Sequence, residues 1–130
     1  MMPFIINNFI SAINTHSVND IINLITDDHK LIDSSGVELE GKENLKNAWT
    51  EYFRMFPDYK INVFEIFLEK TTAAIIGTAS GTFLREGKLK DENKWQIPAA
   101  WYAVTNKNKV KIWQVFTDVF PIIKIMEKNN

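Results

Sequence analysis

The chain has 130 residues, 15 Lys or Arg against 16 Asp or Glu, and no cysteine. That length makes one domain, 1–130, with a core of its own, and the missing thiols exclude disulfide and thiolate chemistry. A formal charge of -1 without a long basic run argues against nucleic acid or an anionic membrane as partner.

The apolar opening "MMPFIINNFI" has no basic region before it and two asparagines within it, so neither a signal peptide nor a membrane span is expected. A cytoplasmic protein is the default. Pro3 suits a first helical turn, and Ile5, Ile6, Phe9, Ile10 and Ile13 recur at helical spacing behind it. Ser17 opens a second helix, with Asp20 completing a capping-box pattern and Val18, Ile21, Ile22 and Ile25 forming the stripe. "HKLIDSSG", residues 29–36, begins as a strand and ends as a turn. A short "VELEG" segment leads into a third helix over 42–56, whose apolar face carries Leu45, Trp49, Tyr52, Phe53 and Phe56 until Pro57 stops it.

From Asp58 onward the period changes. Residues 59–68, 72–84, 94–105 and 109–118 each read as long strands, joined by hairpin connections at 69–71, 85–93 and 106–108. Several are apolar on both faces: Trp95, Ile97, Trp101 and Ala103 alternate with Pro98, Ala100, Tyr102 and Val104. A sheet buried on both sides needs helices over one face and a second cover over the other, so a homodimer is expected, with Trp95 and Trp101 among its outer residues. Gly77 and Gly81 mark where the sheet bends. The tail adds a short helix near Phe120. The predicted fold class is α+β, a strongly bent antiparallel sheet wrapped as a cone around three N-terminal helices.

The candidate chemistry is sparse. Asp33 is either a turn residue binding the backbone of Ser35 or Gly36, or a carboxylate aimed inward, where burial makes it a base. Asp118 either caps the C-terminal helix or ends the last strand facing the cavity, and the alternation around Trp113 leaves open which face is concave. His29 shares the parity of Asp33, as an acid/base partner or as a structural histidine. With two histidines and no ligand spacing, no metal is expected, and with no glycine-rich phosphate loop, no cofactor. Ser34 and Ser35 lack a nucleophile-elbow context. The aromatic residues are mainly core, and Phe9, Trp49, Tyr52, Phe53, Tyr102 and Phe116 are the candidates to line a pocket for a small apolar molecule.

"GKENLKNAW", the helix-ending "FPD" at 56–58 and "KVKIWQVFTD" at 109–118, in this order of elements, resemble the SnoaL-like branch of the nuclear-transport-factor-2-like superfamily. The resemblance spans nearly the whole chain and implies the cone, a cystatin-like α+β barrel. "FISAINTHSVNDIINLITDDHKLIDSSG" resembles the opening of ketosteroid isomerases without a gap, which puts Asp33 on their catalytic base. In that register Phe9 and Ala100 stand where the isomerases have their two oxyanion-hole donors. Losing one such donor typically costs ~2.7–4 kcal/mol of transition-state stabilisation, so ketosteroid isomerisation is disfavoured. Polyketide cyclases depart less, and Asp118 is the match to their acid/base aspartate. The resemblance thus implies isomerisation, aldol-type cyclisation or dehydration through Asp33 or Asp118, with Phe9 and Ala100 beside the ligand, and the parity of His29 adds it to the ligand-binding candidates. The alternative is a non-catalytic binding or dimerisation module.

Overall fold

The computed structural model of the chain describes residues 2–129, with side chains from Pro3 onward. Helices α1 (Met2–Asn14) and α2 (Val18–Asn23) precede strands β1 (Ile25–Ile32) and β2 (Glu38–Glu40), followed by α3 (Lys42–Met55). Strands β3 (Lys60–Glu69), β4 (Thr72–Thr82), β5 (Lys94–Asn106) and β6 (Lys109–Thr117) follow, and α4 (Phe120–Lys128) closes the chain. The α+β class and the element order agree with the sequence reading. Ser17 caps α2 as its pattern demands, its hydroxyl accepting from the backbone N–H of Asp20 at 3.4 Å.

The six strands form one sheet in the order β2-β1-β6-β5-β4-β3. Every pair is antiparallel except β1 with β6, which run parallel. The sheet is therefore mixed where a purely antiparallel one was expected. The strands in that pair are the first and last long strands of the chain, and no hairpin sets their relative direction.

One source of curvature lies between β3 and β4. Pairing of β3 with β4 shifts register between Val63 and Glu65, leaving Phe64 as an extra residue opposite Gly77 and Ile76. At Gly77 a Cβ would lie 1.9 Å from the carbonyl oxygen of Asn62, so only glycine lets β3 come this close. The bent sheet wraps helices α1–α3. Along β5 the odd residues Trp95, Ile97, Ala99, Trp101 and Ala103 turn inward and are buried, facing small residues such as Gly77, Ala79 and Gly81 on β4. Trp95 and Trp101 thus belong to the concave side, not to the outer face assigned from sequence. The outer face carries Phe67, Ile76, Tyr102 and Phe116 instead, all exposed.

Helix α1 seats Phe9 edge-on against Trp113, with ring centroids 4.9 Å apart. Its last residue, Asn14, clamps β3 from the side: Nδ2 donates to Ile61 O at 2.9 Å and Oδ1 accepts from Ile61 N at 2.8 Å. Replacing Gly77 by Ala must push β3 away from β4. The expected outcome is a loss of about 1–3 kcal/mol, as for overpacked cores, read as a lower urea midpoint at unchanged m. Gly87→Ala, in a loop with nothing within 4 Å of the added carbon, is the comparison for changes made without a steric clash, although its φ of +71° adds some backbone strain of its own.

Candidate functional site

The concave face leaves a cavity of about 260 Å³ between α3 and the sheet. Its wall takes Trp49 and Tyr52 from α3, Trp95 and Trp101 from β5, and Trp113 and Val115 from β6, so all four tryptophans of the chain line one space. Tyr59, which stands just before β3, completes the aromatic lining. Leu31, Ile32, Asp33 and Ser34 bound the cavity at the end of β1, and Val119 and Ile122 close it from the C-terminal segment. Asp33 is exposed, so the cavity reaches the surface there, and it is the one charged residue in the lining among the described residues.

The carboxylate of Asp33 holds the turn that ends β1. Its Oδ1 accepts from Ser35 N at 2.9 Å, Ser35 Oγ at 2.8 Å and Val37 N at 2.9 Å, while Gly36 takes φ 87° to close the loop. Partial burial pushes the carboxyl up, but the hydrogen bonds from Ser35, Val37 and Gly36 together outweigh it and hold Asp33 below the usual carboxylate range. The turn reading thus describes what this side chain does in the fold, while its position also places it on the cavity lip. Oδ2 has no hydrogen-bond partner among the described residues.

Of the other residues singled out from sequence, Trp49 and Tyr52 line the cavity and the rest do not. Phe9 is fully buried behind the wall, against Trp113. Phe53 is buried outside the lining, packed on Trp49 with centroids 5.5 Å apart and stacked on His16 at 4.1 Å. Ala100, Tyr102 and Phe116 stand on the convex face, because the even residues of β5 and their partners on β6 point away from the helices. Asp118 is exposed beyond the end of β6, where its Oδ1 accepts from Phe120 N at 2.9 Å in the turn before α4. Trp113, not its neighbours in the alternation, faces inward, which puts the parity of Asp118 on the outer side.

His29 is buried at 1% exposure without touching the cavity. Its Nδ1 donates to the carbonyl oxygen of Val110 at 2.7 Å, which leaves Nε2 as an acceptor, sealed from solvent and unpartnered. Burial pushes its pKa down, the Val110 bond and Asp28 offsetting part of that.

Tyr59, Trp95, Trp101 and Trp113 are the aromatic lining residues that the sequence reading did not assign to the pocket. The available signal for Tyr59 was its parity with Ile61, which alternation carries to the inner face of β3. Both Tyr52 and Tyr59 have their pKa raised, by burial in each case and in Tyr59 also by the neighbouring Tyr52, so both remain protonated phenols.

The SnoaL-like domain family matches residues 6–117 of the chain. No curated protein matches the sequence. Among solved structures, a hypothetical protein with a ketosteroid isomerase-like fold from Catenulispora acidiphila DSM 44928, in complex with trimethylamine, aligns at TM-score 0.80 and 14% identity, over 95% of this chain and 92% of that one. A candidate SnoaL-like polyketide cyclase from Shewanella denitrificans OS-217 aligns at TM-score 0.80 and 12% identity, over 98% and 95%. An LEH-like epoxide hydrolase from M. tuberculosis aligns at TM-score 0.76 and 10% identity, over 96% and 88%. Identities this low establish the cone and leave its chemistry open.

The lowered pKa of His29 has a consequence for stability. The unfolded histidine takes up a proton near pH 6.5 and the folded one only at lower pH, so its contribution is complete above that pH and is lost as pH falls. Urea midpoints are expected to fall between about pH 7 and pH 5, and the slope to flatten in His29→Gln.

Proposed function

This chain belongs to the SnoaL-like domain family, and we propose that it binds a small, mostly apolar molecule in its cone cavity and acts on it by proton transfer through Asp33. The observation that carries the reading is the cavity itself: about 260 Å³, walled by tryptophans, reaching the surface beside a single carboxylate. Such a mix of apolar wall and few polar groups is what small-molecule sites have. That a protein of the same fold was crystallised with trimethylamine supports small-molecule binding on this scaffold.

The proton acceptor in this reading is Oδ2 of Asp33, since Oδ1 is engaged in the turn. A carboxylate held below its usual pKa is ionised at neutral pH and is a weak base. It suits a carbon acid that is already activated, as in isomerisation, aldol-type cyclisation or dehydration next to a carbonyl. Asp118 has no part in the proposal, being outside the lining and occupied with Phe120 N.

Passive binding is the second reading. The observation that favours it is the same set of bonds from Ser35 and Val37, which accounts for an aspartate here without any reaction. Asp33→Asn separates the two, because an asparagine oxygen can accept the same turn bonds but cannot take the proton. With a ligand found by thermal-shift screening of metabolite extracts, the variant should bind it unchanged and lose turnover by about 100-fold or more, in line with the usual worth of general base catalysis. Unchanged turnover removes Asp33 from the chemistry.

We also infer a homodimer through the convex face of the sheet. Phe67 and Tyr102 flank Ala74, and Ile76 and Phe116 flank Ala100, by their strand pairings, so one apolar patch crosses β3 to β6. Large apolar patches on soluble proteins mark contact surfaces, and a twofold contact uses the same patch twice. Sedimentation at micromolar concentration should give a dimer, and Ile76→Lys, at a residue 41% exposed in the single chain, should give a folded monomer.

A further inference from the structure

We propose that Tyr52 and Tyr59 form a paired hydrogen-bonding site for one oxygen atom of the ligand, so that the cavity takes a flat, largely apolar molecule carrying a carbonyl or phenolic oxygen. The proposal rests on the cavity-binding reading above and names the chemistry of what is bound.

Both tyrosines line the cavity, and neither hydroxyl has a hydrogen-bond partner among the described residues. Tyr59 is only 7% exposed, which is a strong constraint on a polar atom, because buried hydroxyls are almost always paired with protein, water or ligand. The unpartnered side-chain atoms sealed from solvent are Thr26 Oγ1, His29 Nε2, Asn93 Nδ2 and Trp95 Nε1. The two phenol oxygens are not among them, so each keeps some accessible surface, and both residues line the cavity.

The pair is also held in place. The rings meet edge to face with centroids 4.9 Å apart, and Tyr59 packs on Trp95 behind them. Around Tyr59 the backbone is tied on three sides. Asp58 accepts from Thr82 N at 2.7 Å and Thr82 Oγ1 at 2.6 Å, His16 Nε2 donates to Tyr59 O at 2.8 Å, and Asn14 brackets Ile61. A donor fixed in this way loses little freedom when a ligand arrives.

The rest of the lining narrows the ligand. With Asp33 on the lip and no Lys, Arg or His in the wall, a carboxylate or phosphate ligand would meet a negative charge and no positive one. A neutral oxygen acceptor avoids that cost and satisfies two protonated phenols at once, since both hydroxyls keep their protons throughout the neutral range. Four indole rings around it favour a flat aromatic or conjugated body.

Dissociation constants of 2-naphthol and of naphthalene, its isostere without the oxygen, measured by equilibrium dialysis, test this. The intact protein should bind 2-naphthol about tenfold more tightly, Tyr52→Phe and Tyr59→Phe should each lose about threefold of that preference, and the double variant should show none while still binding naphthalene. Equal affinities in the intact protein, or a preference that survives in the double variant, overturn the paired site and leave the cavity reading standing. Binding of neither compound to the intact protein removes both. Removing one hydroxyl keeps each ring in its packing, so a matching urea midpoint identifies a folded variant.

Discussion

The contact on which the cone depends is the one between the Asn62 carbonyl and Gly77, where no Cβ can be accommodated. It lets β3 fold in against β4 at the point where Phe64 is left over from the pairing, and the sheet bends there. The same economy continues along β4. A Cβ at Gly81 would come within 2.9 Å of the Trp95 ring, so the missing side chain is what lets that indole lie across the strand. Small residues on the inner face of β4 and large ones on β5 together define the space: β4 yields volume that the tryptophans of β5 and β6 fill only in part. The cavity is what remains.

Much of this was legible in the sequence because periodicity reports local structure. The helical stripes, Ser17 as a cap and the hairpins all depend on neighbours in the chain, and each element lies within a few residues of where its pattern puts it. The parallel pairing of β1 with β6 was not legible, since it joins segments about eighty residues apart. Nor was the sense of the sheet. Alternation separates Trp95 and Trp101 from Ala100 and Tyr102 with certainty, but which set faces the helices follows only when the bend is known. Assigning the tryptophans outward and Tyr102 and Ala100 inward inverted the strand as a unit, the error that a two-residue period invites.

The candidate site divides along the same line. Asp33 was visible both as a turn residue and as a family position, and the fold shows the first: Oδ1 closes the loop through Ser35 and Val37, while Oδ2 has no hydrogen-bond partner among the described residues. His29 is a different case. Its parity with Asp33 does carry it to the inner side of the sheet, but four residues farther from the lip, where the ring lies in the core beneath α1, 6.2 Å from Phe9 and outside the cavity lining. Alternation reports the face a residue takes but not how deep along the strand the cavity reaches.

Tyr59 is the instructive omission. "FPDYK" reads as a helix stop, and the proline draws the eye from Tyr59, two residues on, whose parity Ile61 continues on the inner face of β3. The constraints on that segment are long-range: Asp58 to Thr82, His16 to the Tyr59 carbonyl, Asn14 to Ile61. Each spends a polar side chain on holding backbone, which a surface loop would not require. With the backbone held in this way, the ring itself is kept in place by its packing on Tyr52 and Trp95. On the resemblance to ketosteroid isomerases, oxyanion donors belong on α1 and β5, where this chain has Phe9 and Ala100. The first of these is core and the second faces outward. The phenol hydroxyls of the lining lie instead on the α3–β3 side of the cone, and in the proposed pose the ligand's oxygen is turned toward Tyr52 and Tyr59 and its apolar body along the tryptophans.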